Sequence, residues 1–468
     1  MFIGLLLLFN IIFLCAMLYF MIESFHEKES RASFFGLAGS IFHIILIPLS
    51  IWVPALHVPI AFLFCLYVFA FIIFSIPSKP DPKAIKGSMG HIVGDVKRFD
   101  ERDTLFARTE TFSPEMEQFE KYYKRRPEFK EYDDHQRGQG IWSRPPGTID
   151  KHYGPYLAML GAADNTIGLM GDSAVAEPSD HASEDHLSPG QATEMVKKYA
   201  RHLGADLVGI CKVNELWAYT HRGAVYFDKS EHGNELPEPL PYALVYAVEM
   251  GYEHVSTAPH SPTMLESMHQ YARGTFISTT LAQWFSGMGY HARAQHVDHY
   301  DHLMVPLAVD AGLGEMGRLG YLIAPKFGAR IRVFGVTTDM PLIPDKPISV
   351  GAEAFCERCK KCATSCPSGS IPLEEKTIHN GIERWKLNDQ TCYDFWGKAG
   401  TDCAICMAIC PFNRPNTPLH QLVRWMVARS SLAQSIFPYI ENLIYGKKWR
   451  PKKLTPWLDY NLDTKEAF

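Results

Sequence analysis

The pattern of apolar and polar positions changes near residue 77: the first part of the chain is almost continuously apolar, and the remainder is not. Three apolar runs, 1–22, 34–53 and 55–76, each approach the roughly 20 residues that a helix needs to span a bilayer. They predict a three-helix transmembrane anchor over residues 1–77. A signal peptide is the alternative for the first run, but no small-residue cleavage site follows it and two more apolar runs do.

Basic residues near these runs predict how the anchor is oriented. Lys28 and Arg31 lie between the first and second runs, and Lys79, Lys83 and Lys86 follow the third, whereas the short turn between the second and third runs has no Lys or Arg. The positive-inside rule then places the N-terminus outside and residue 78 onward in the cytoplasm. We therefore expect a multi-pass protein of the cytoplasmic membrane.

Beyond residue 77 the apolar pattern predicts an α/β core. Residues 78–190 are polar and show only short periodic stretches, so we expect an extension that wraps the core. A helix opens at Ser188-Pro189, and a longer one is predicted over 264–288. Apolar segments at 205–211, 242–250 and 331–337 read as strands of a mixed sheet. The predicted domains are the core, a cysteine-rich module and a tail, at 191–350, 351–415 and 416–468.

Two cysteine runs carry the clearest chemistry. The first has the spacing C-x2-C-x2-C-x3-C-P, which is the spacing of bacterial two-cluster ferredoxins. In such ferredoxins the fourth cysteine of a run ligates the other cluster. The same rule predicts two [4Fe-4S] clusters here, one held by Cys356, Cys359, Cys362 and Cys410, and one by Cys366, Cys392, Cys403 and Cys406.

A zinc site and a set of disulfides are the alternatives. Structural zinc usually takes paired C-x2-C knuckles separated by a longer loop, and disulfide frameworks suit small secreted domains. Spacing favours the clusters but leaves open which of the two lies nearer a reaction centre.

A glycine-rich stretch precedes the first cysteine run. Gly312, Gly314 and Gly317 match the bare G-x-G-x-x-G spacing, but extended chain rather than a long helix follows, so a dinucleotide site is poorly supported. The alternative is a backbone that approaches a bulky ligand closely. The net charge of −5 argues against a nucleic-acid partner.

Residues 304–342 (MVPLAVDAGLGEMGRLGYLIAPKFGARIRVFGVTTDMPL), followed by the two cysteine runs, resemble the corrinoid-dependent reductive dehalogenases and the related epoxyqueuosine reductase. The segment FDERDTLFAR at 99–108 is similar to the dehalogenase branch. The resemblance covers roughly residues 97 to 415. It implies a cobalamin in a nitroreductase-like core, with the two clusters feeding it electrons.

The resemblance also implies catalytic residues. A tyrosine that supplies a proton is matched by Tyr271, and its basic partner is matched by Arg332, with Arg330 as the rival and a candidate for binding the cofactor. Gly312, Gly314 and Gly317 are the other candidates for cofactor binding. Dehalogenases used in respiration usually carry a twin-arginine signal and rely on a separate anchor protein, and this chain differs from them by carrying its own apolar helices.

The activity that follows is reductive dehalogenation of an organohalide, which the aromatic residues around the core suggest is aromatic. Membrane lipid and an electron donor (a quinol, a ferredoxin or a reductase) are the expected partners. Two alternatives stay open at this stage: an enzyme like epoxyqueuosine reductase that modifies tRNA, and a non-catalytic electron-transfer subunit of a membrane complex.

Overall fold

The computed structural model describes residues 2–137, 154–171 and 173–453, so parts of the predicted extension and tail lie outside the described residues. The chain opens with three long helices, α1 (Phe2–His26), α2 (Ser30–Trp52) and α3 (His57–Ser75). All three are long and apolar enough to cross a membrane, which confirms their predicted number and composition. Many large apolar side chains point outward from them, as expected for helices that face lipid.

A small polar cluster joins α1 to α2 inside this bundle. The Asn10 side chain donates to Ser50 Oγ at 3.2 Å, and its oxygen lies 3.1 Å from Nδ1 of His43. All three side chains are buried. Hydrogen bonds of this kind between helices stabilise packing in an apolar surrounding, where no water competes for the polar groups.

Four helices follow in the extension, α4 (Pro82–Ile85), α5 (Phe119–Arg125), α6 (Pro127–Gln136) and α7 (Gly154–Gly171). Helix α7 was not predicted. The sequence of α7, GPYLAMLGAADNTIGLMG, is apolar on most sides and rich in small residues, so it lacks the amphipathic stripe that identifies a surface helix. This helix packs along the longest helix of the core.

The core sheet has the strand order β1-β4-β7-β3-β2. Its strands and those of a separate hairpin are β1 (Val175–Ala176), β2 (Leu207–Lys212), β3 (Tyr242–Glu249), β4 (Ala292–Gln295), β5 (Glu315–Met316), β6 (Leu322–Ile323) and β7 (Ile331–Thr338). The three predicted strands correspond to β2, β3 and β7, and the α/β class is confirmed. A mixed sheet was expected, but the four pairings described in this sheet are all antiparallel, because strands that run in the same direction, such as β3 and β4, are separated by a strand of the opposite direction.

Helices cover both faces of the sheet. On one face lie α8 (Pro189–His202) and α10 (Ser261–Gly287), and on the other lies α11 (Met304–Asp310); the short α9 (Tyr252–Val255) precedes α10. Side chains along β3 alternate between the two faces, with Leu244 and Tyr246 toward α10, and Ala243 and Val245 toward α11. The predicted start of α8 is confirmed by a capping box that Ser188 forms with Gln191.

One face of α10 packs directly on β7. Ser267, Tyr271, Gly274 and Ser278 recur every three or four residues, which places them on one side of the helix. A Cβ atom added to Gly274 would lie 2.2 Å from the Phe334 ring, so only glycine lets the helix approach this closely. Because Arg332 is two residues before Phe334 on β7, its side chain leaves the sheet on the same face.

The cysteine-rich module consists of short elements around a shared apolar core. They are α12 (Ala352–Cys359), α13 (Lys361–Ser365), β8 (Thr377–His379), β9 (Ile382–Arg384), α14 (Asp389–Ala399) and α15 (Ile405–Ala408). Two further helices, α16 (Pro418–Arg429) and α17 (Ser431–Tyr445), follow the module. Helix α17 packs against α12 and also against α2 and α3, so it connects the module to the apolar helices.

The approach of α10 to β7 predicts a strong effect of substitution at Gly274. Gly274→Ala should destabilise the protein by about 1–3 kcal/mol because the new methyl group overlaps the Phe334 ring. The apparent melting temperature of the purified chain measures the effect. Gly287→Ala, on the same helix with no atom within 4 Å of the added Cβ, is the matched control and should leave the melting temperature unchanged or raise it. Equal melting temperatures for the two variants would contradict the close packing.

Candidate functional site

Four cysteines from both runs line one cavity in the module. They are Cys366 at the end of α13, Cys392 in α14, and Cys403 and Cys406 at the start of α15. Cys403 and the following Ala404 have positive φ angles of 59° and 53°, a conformation that non-glycine residues rarely adopt. The backbone is thus held in a tight, strained turn around the cavity.

The other four cysteines form a second group beside the first. Burial raises the pKa of the Cys356 thiol well above its ordinary value, and the neighbouring Cys362, Cys410 and Cys359 raise it further. Between the two groups, Cys406 is close enough to Cys362 for that thiol to raise its pKa. The groups therefore lie next to each other, each with three cysteines from one run and one from the other.

The donor set suits a large inorganic cluster. Four thiols share each group, and thiolate is the ligand that iron–sulfur clusters use. Within the described ranges, no group of three or more His, Cys, Asp or Glu side chains is arranged to hold a single metal ion. The same holds for His296, His299 and His302, which surround the ion pair of Arg222 with Asp301 (2.5 Å).

Tyr271 and Arg332 lie together between the sheet and α10. The Arg332 guanidinium is 4.9 Å from the centre of the Tyr271 ring. Burial raises the pKa of the Tyr271 hydroxyl above its ordinary value, whereas the positive charge of Arg332 lowers it. Because the net direction is upward, the phenol is protonated at neutral pH, and Arg332 is positioned to stabilise the phenolate that remains after a proton leaves.

A buried ion pair connects Arg332 to the cysteine module. Arg332 Nη2 donates to Asp402 Oδ2 at 3.0 Å and to Ser267 Oγ at 2.5 Å, and the Ser267 hydroxyl donates to the same carboxylate. Asp402 immediately precedes Cys403 in the chain. Sequence reasoning missed Asp402 and Ser267, although the position of an acidic residue directly before a ligand cysteine was a signal that could have been used.

Tyr321 lies near both this pair and the cysteine cavity. Burial raises its pKa well above the ordinary value, the thiols of Cys406 and Cys392 raise it further, and Arg332 lowers it. Tyr321 also lines the cavity of the first cysteine group. The group that contains Cys403 and Cys406 is therefore the one next to Tyr271 and Arg332.

The surrounding side chains have the character of cavity walls. Tyr271, Tyr300, Tyr321 and Arg332 all remain partly accessible, although burial raises the pKa of each tyrosine. Core residues would instead be fully covered, as Tyr246 is. A partly accessible aromatic and cationic wall inside the protein fits a large ligand such as a corrinoid.

Acidic residues lie near Tyr271 and were also missed. Glu110, in a π-helical turn, accepts hydrogen bonds from Tyr226 (3.1 Å) and Tyr393 (3.2 Å), and burial raises its pKa. Burial and the negative charges of Asp164 and Glu110 raise the pKa of Asp298 to about 7. No motif in the sequence marks these residues, because three distant segments bring them together.

The predicted glycines have explanations within the protein itself. A Cβ atom on Gly312 would meet the Lys346 carbonyl at 2.5 Å, one on Gly314 the Ile323 carbonyl at 2.2 Å, and one on Gly317 the Ile323 side chain at 2.8 Å. These packing contacts account for the three glycines without a ligand. Gly320 has no atom within 4 Å of its Cβ position, but its φ of 82° favours glycine, and it lines a second cavity together with Trp217 and Met316.

Arg330 is also occupied within the protein. Its guanidinium is almost fully buried, donates to Glu249 at 2.6 Å and reaches the Met250 carbonyl. These contacts give it a structural role, which favours Arg332 as the partner of Tyr271.

Comparison with known proteins agrees with this geometry. Residues 355–414 match the 4Fe-4S dicluster domain family. Tetrachloroethene reductive dehalogenase of Sulfurospirillum multivorans is 32% identical over 304 residues, covering 58% of this chain and 60% of the relative. The enzyme of the same name from Dehalobacter restrictus is 33% identical over 281 residues, covering 51% of each chain. Epoxyqueuosine reductase of Escherichia coli is 26% identical over 277 residues, covering 50% of this chain and 71% of the relative.

The fold also matches a solved structure, the catabolic reductive dehalogenase NpRdhA in complex with 3-bromo-4-hydroxybenzoic acid. The TM-score is 0.60 at 24% identity, covering 82% of this chain and 54% of that chain. The resemblance to this group of proteins, the fold class and the dicluster module are thus confirmed. The chain spans between half and three fifths of the length of the two dehalogenases that it matches in sequence.

The buried pair of Arg332 with Asp402 predicts a measurable energetic coupling. Arg332→Leu should cost about 3–5 kcal/mol, because it leaves the Asp402 carboxylate buried without its partner. When Asp402→Asn is added to Arg332→Leu, part of the lost stability should be recovered. The melting temperatures of the wild type, the two single variants and the double variant measure this coupling. Lys198→Leu, which breaks an exposed pair with Glu194, is the control and should change stability little. Additive effects of the two buried substitutions would contradict the coupling.

Proposed function

We propose that this chain, a relative of the reductive dehalogenases, replaces a carbon-bound halogen of an organohalide by hydrogen. The observation that carries the proposal is that three parts lie next to one another: the cavity lined by Cys366, Cys392, Cys403 and Cys406, the Tyr321 side chain, and the pair of Arg332 with Tyr271. An electron-carrying module, a wall for a large cofactor and a proton donor with a basic partner are thereby in contact. A plain electron carrier needs only the first of these three parts.

The eight cysteines of the two groups are proposed to hold two [4Fe-4S] clusters, and the partly accessible wall around Tyr271 and Tyr321 is proposed to hold a cobalamin. When bound, these groups supply single electrons and a cobalt centre that reacts with the carbon–halogen bond. The cluster of Cys366, Cys392, Cys403 and Cys406 is proposed as the one that lies nearer the reaction centre, because Tyr321 contacts both regions. The roles of Gly312, Gly314, Gly317 and Arg330 as cofactor ligands have no comparable geometric support.

The protein's own residues would supply the proton that the reaction consumes. Two electrons and one proton convert the carbon–halogen bond into a carbon–hydrogen bond and a halide ion, so a proton donor must face the reacting carbon. Tyr271 is proposed as that donor because its raised pKa keeps it protonated at neutral pH. Arg332 would stabilise the phenolate, and Asp402 would hold the Arg332 side chain in place.

Aromatic substrates are the ones to assay first. Tyr271, Tyr300 and Tyr321 offer ring faces and edges, against which a halogenated aromatic can pack in offset or edge-on geometry. The carboxyl groups of Glu110 and Asp298 would disfavour a strongly anionic substrate when they are ionised. An uncharged halogenated phenol therefore fits this cavity better than a halogenated dicarboxylate.

The apolar helices are proposed to make the protein a multi-pass protein of the cytoplasmic membrane, with the remainder in the cytoplasm. The distribution of basic residues supports this orientation: they follow α1 and α3, whereas the turn between α2 and α3 has none. A quinol, a ferredoxin or a reductase would serve as the electron donor. The reducing cytoplasm also suits free thiols and cluster assembly.

Dehalogenation by the purified full chain, reconstituted with iron, sulfide and cobalamin, tests the proposed function. With a strong reductant it should release halide from a halogenated phenol, and Tyr271→Phe should lower the rate by roughly 10²–10⁴-fold because the proton donor is lost. Halide release by ion chromatography and cobalamin content by absorption are the measurements. Tyr199→Phe, on α8, is the matched control and should keep wild-type activity. If the wild-type protein binds no corrinoid and releases no halide, the proposal is wrong.

Iron content and paramagnetic resonance test the cysteine groups. Wild-type protein should contain about eight iron atoms, whereas Cys366→Ala and Cys410→Ala should each lower the content toward about four and remove the signal of one cluster. The two variants should lose different signals, because Cys366 and Cys410 belong to different groups. Cys211→Ala, a buried cysteine outside both groups, is the control and should leave the content unchanged. Loss of the same signal in both variants would disprove the grouping.

A further inference from the structure

A basic cavity lies beside the end of the apolar helices. It is enclosed by the α1–α2 turn, by the start of α13 and by the segment that follows α17. Nine lysine and arginine residues and only one carboxylate, Glu29, are among its lining residues. The basic residues are Lys28, Arg31, Lys361, Arg414, Lys447, Lys448, Arg450, Lys452 and Lys453.

The charge of this cavity is only partly balanced by the protein. Glu29 is shared by Arg414 and Lys452, and Glu441 is shared by Arg414 and Lys361. The other six basic residues form no ion pair within the part of the chain that the structure describes. Because like charges that surround one space repel each other, an anion in the cavity would lower the energy of the whole arrangement.

The cavity is placed where a bilayer surface would be. The α1–α2 turn, which contributes Lys28 and Arg31, joins two helices that are apolar enough to cross a membrane. On the other side of the cavity, a Cβ atom on Gly446 would lie 3.9 Å from the Arg31 guanidinium. The basic residues after α17 therefore lie at the same end of the bundle as the turn.

An exposed apolar surface continues from this end of the bundle. On α17 the side chains of Leu432, Ile436, Tyr439, Ile440 and Leu443 are exposed. Apart from the adjacent pair Tyr439 and Ile440, successive residues are three or four positions apart, which places the five on one face. The opposite side of α17 packs on the protein, where Phe437 stacks obliquely on Phe74 at the end of α3, with 4.9 Å between the ring centres. Leu422, Val423 and Trp425 on α16 are also exposed.

We infer that the basic cavity binds the headgroup of an anionic phospholipid, while the exposed apolar face of α17 lies at the boundary between headgroups and acyl chains. An amphipathic helix next to a cluster of lysines and arginines is the combination that binds anionic membrane surfaces. An acidic redox protein would match the charge but would leave the apolar face uncovered, so the lipid is the occupant that explains both features. The inference does not depend on the proposed catalytic activity.

Bound lipid would also influence the nearby cysteine group. Lys361 lies between Cys359 and Cys362, and Arg414 follows Cys410 by four residues. Both side chains form ion pairs with Glu441, and Arg414 also forms an ion pair with Glu29 in the α1–α2 turn. An anionic headgroup in the cavity would thus hold the group of Cys356, Cys359, Cys362 and Cys410 at a fixed position relative to the membrane surface.

Native mass spectrometry of the full chain in detergent tests the inference. After incubation with equal amounts of phosphatidylglycerol and phosphatidylcholine of the same chain length, the wild-type protein should retain phosphatidylglycerol preferentially. The double substitution Lys447→Gln and Lys448→Gln should weaken that retention on the order of tenfold, since both side chains are exposed at the cavity. The matched control, Lys121→Gln with Lys124→Gln, removes the same charge from exposed positions of α5 and should retain the lipid as the wild type does.

Three results would overturn the inference. One is equal retention of the two lipids by the wild-type protein, and another is equal loss of phosphatidylglycerol in both double variants. The third comes from competition: if inorganic phosphate, or polyglutamate as a model of an acidic protein, displaces phosphatidylglycerol at millimolar concentration, the cavity is a general anion site or a protein-docking site.

Discussion

The ion pair of Arg332 with Asp402 is the constraint on which the arrangement of the site depends. Moving two charges out of water costs several kcal/mol for each ion, and their attraction offsets that cost only when the geometry is good and the other polar atoms are satisfied. Here Ser267 contributes a hydroxyl to both charges, whereas Arg332 Nε and Asp402 Oδ1 have no hydrogen-bond partner among the described residues. The pair connects the central strand of the sheet to the residue before Cys403, so the cysteine module cannot shift against the core without leaving a charge buried and unpaired.

A similar principle operates at the other end of the module. Glu29, in the turn between α1 and α2, contacts Arg414 and Lys452, and His420 lies 2.7 Å from the neighbouring Glu27. These contacts join the apolar helices to the segment that follows Cys410. Charged groups therefore hold the module on two sides, toward the sheet and toward the helices, and its apolar core fills the space between them.

The sequence was informative wherever chemistry depends on local spacing. The cysteine runs, the capped start of α8 and the three apolar helices all follow from residues close together in the chain. The proximity of Tyr271 to Arg332 depends instead on how α10 lies against β7, which a resemblance can imply but spacing cannot. Asp402, Tyr321 and Asp298 were missed for the same reason, since each acts through contacts with distant segments. Helix α7 was missed because its composition hides the usual amphipathic stripe, and the sheet was expected to be mixed because strand direction depends on connections that the apolar pattern does not reveal.

The exchange of one cysteine between the two groups has a consequence for biogenesis. Cys366 lies with the cysteines of the second run and Cys410 with those of the first, so the group that contains Cys366 is complete only when the chain has been synthesised through residue 406, and the group that contains Cys356 only through residue 410. A nascent chain that ends before Cys403 offers three ligands to the group of Cys356 and two to the group of Cys366. If metal loading and folding are linked, as they are in small metal-binding domains, the module matures in a single late event rather than one site at a time. By then the three apolar helices at the start of the chain have long left the ribosome, so the module would mature on a chain whose apolar helices are already synthesised.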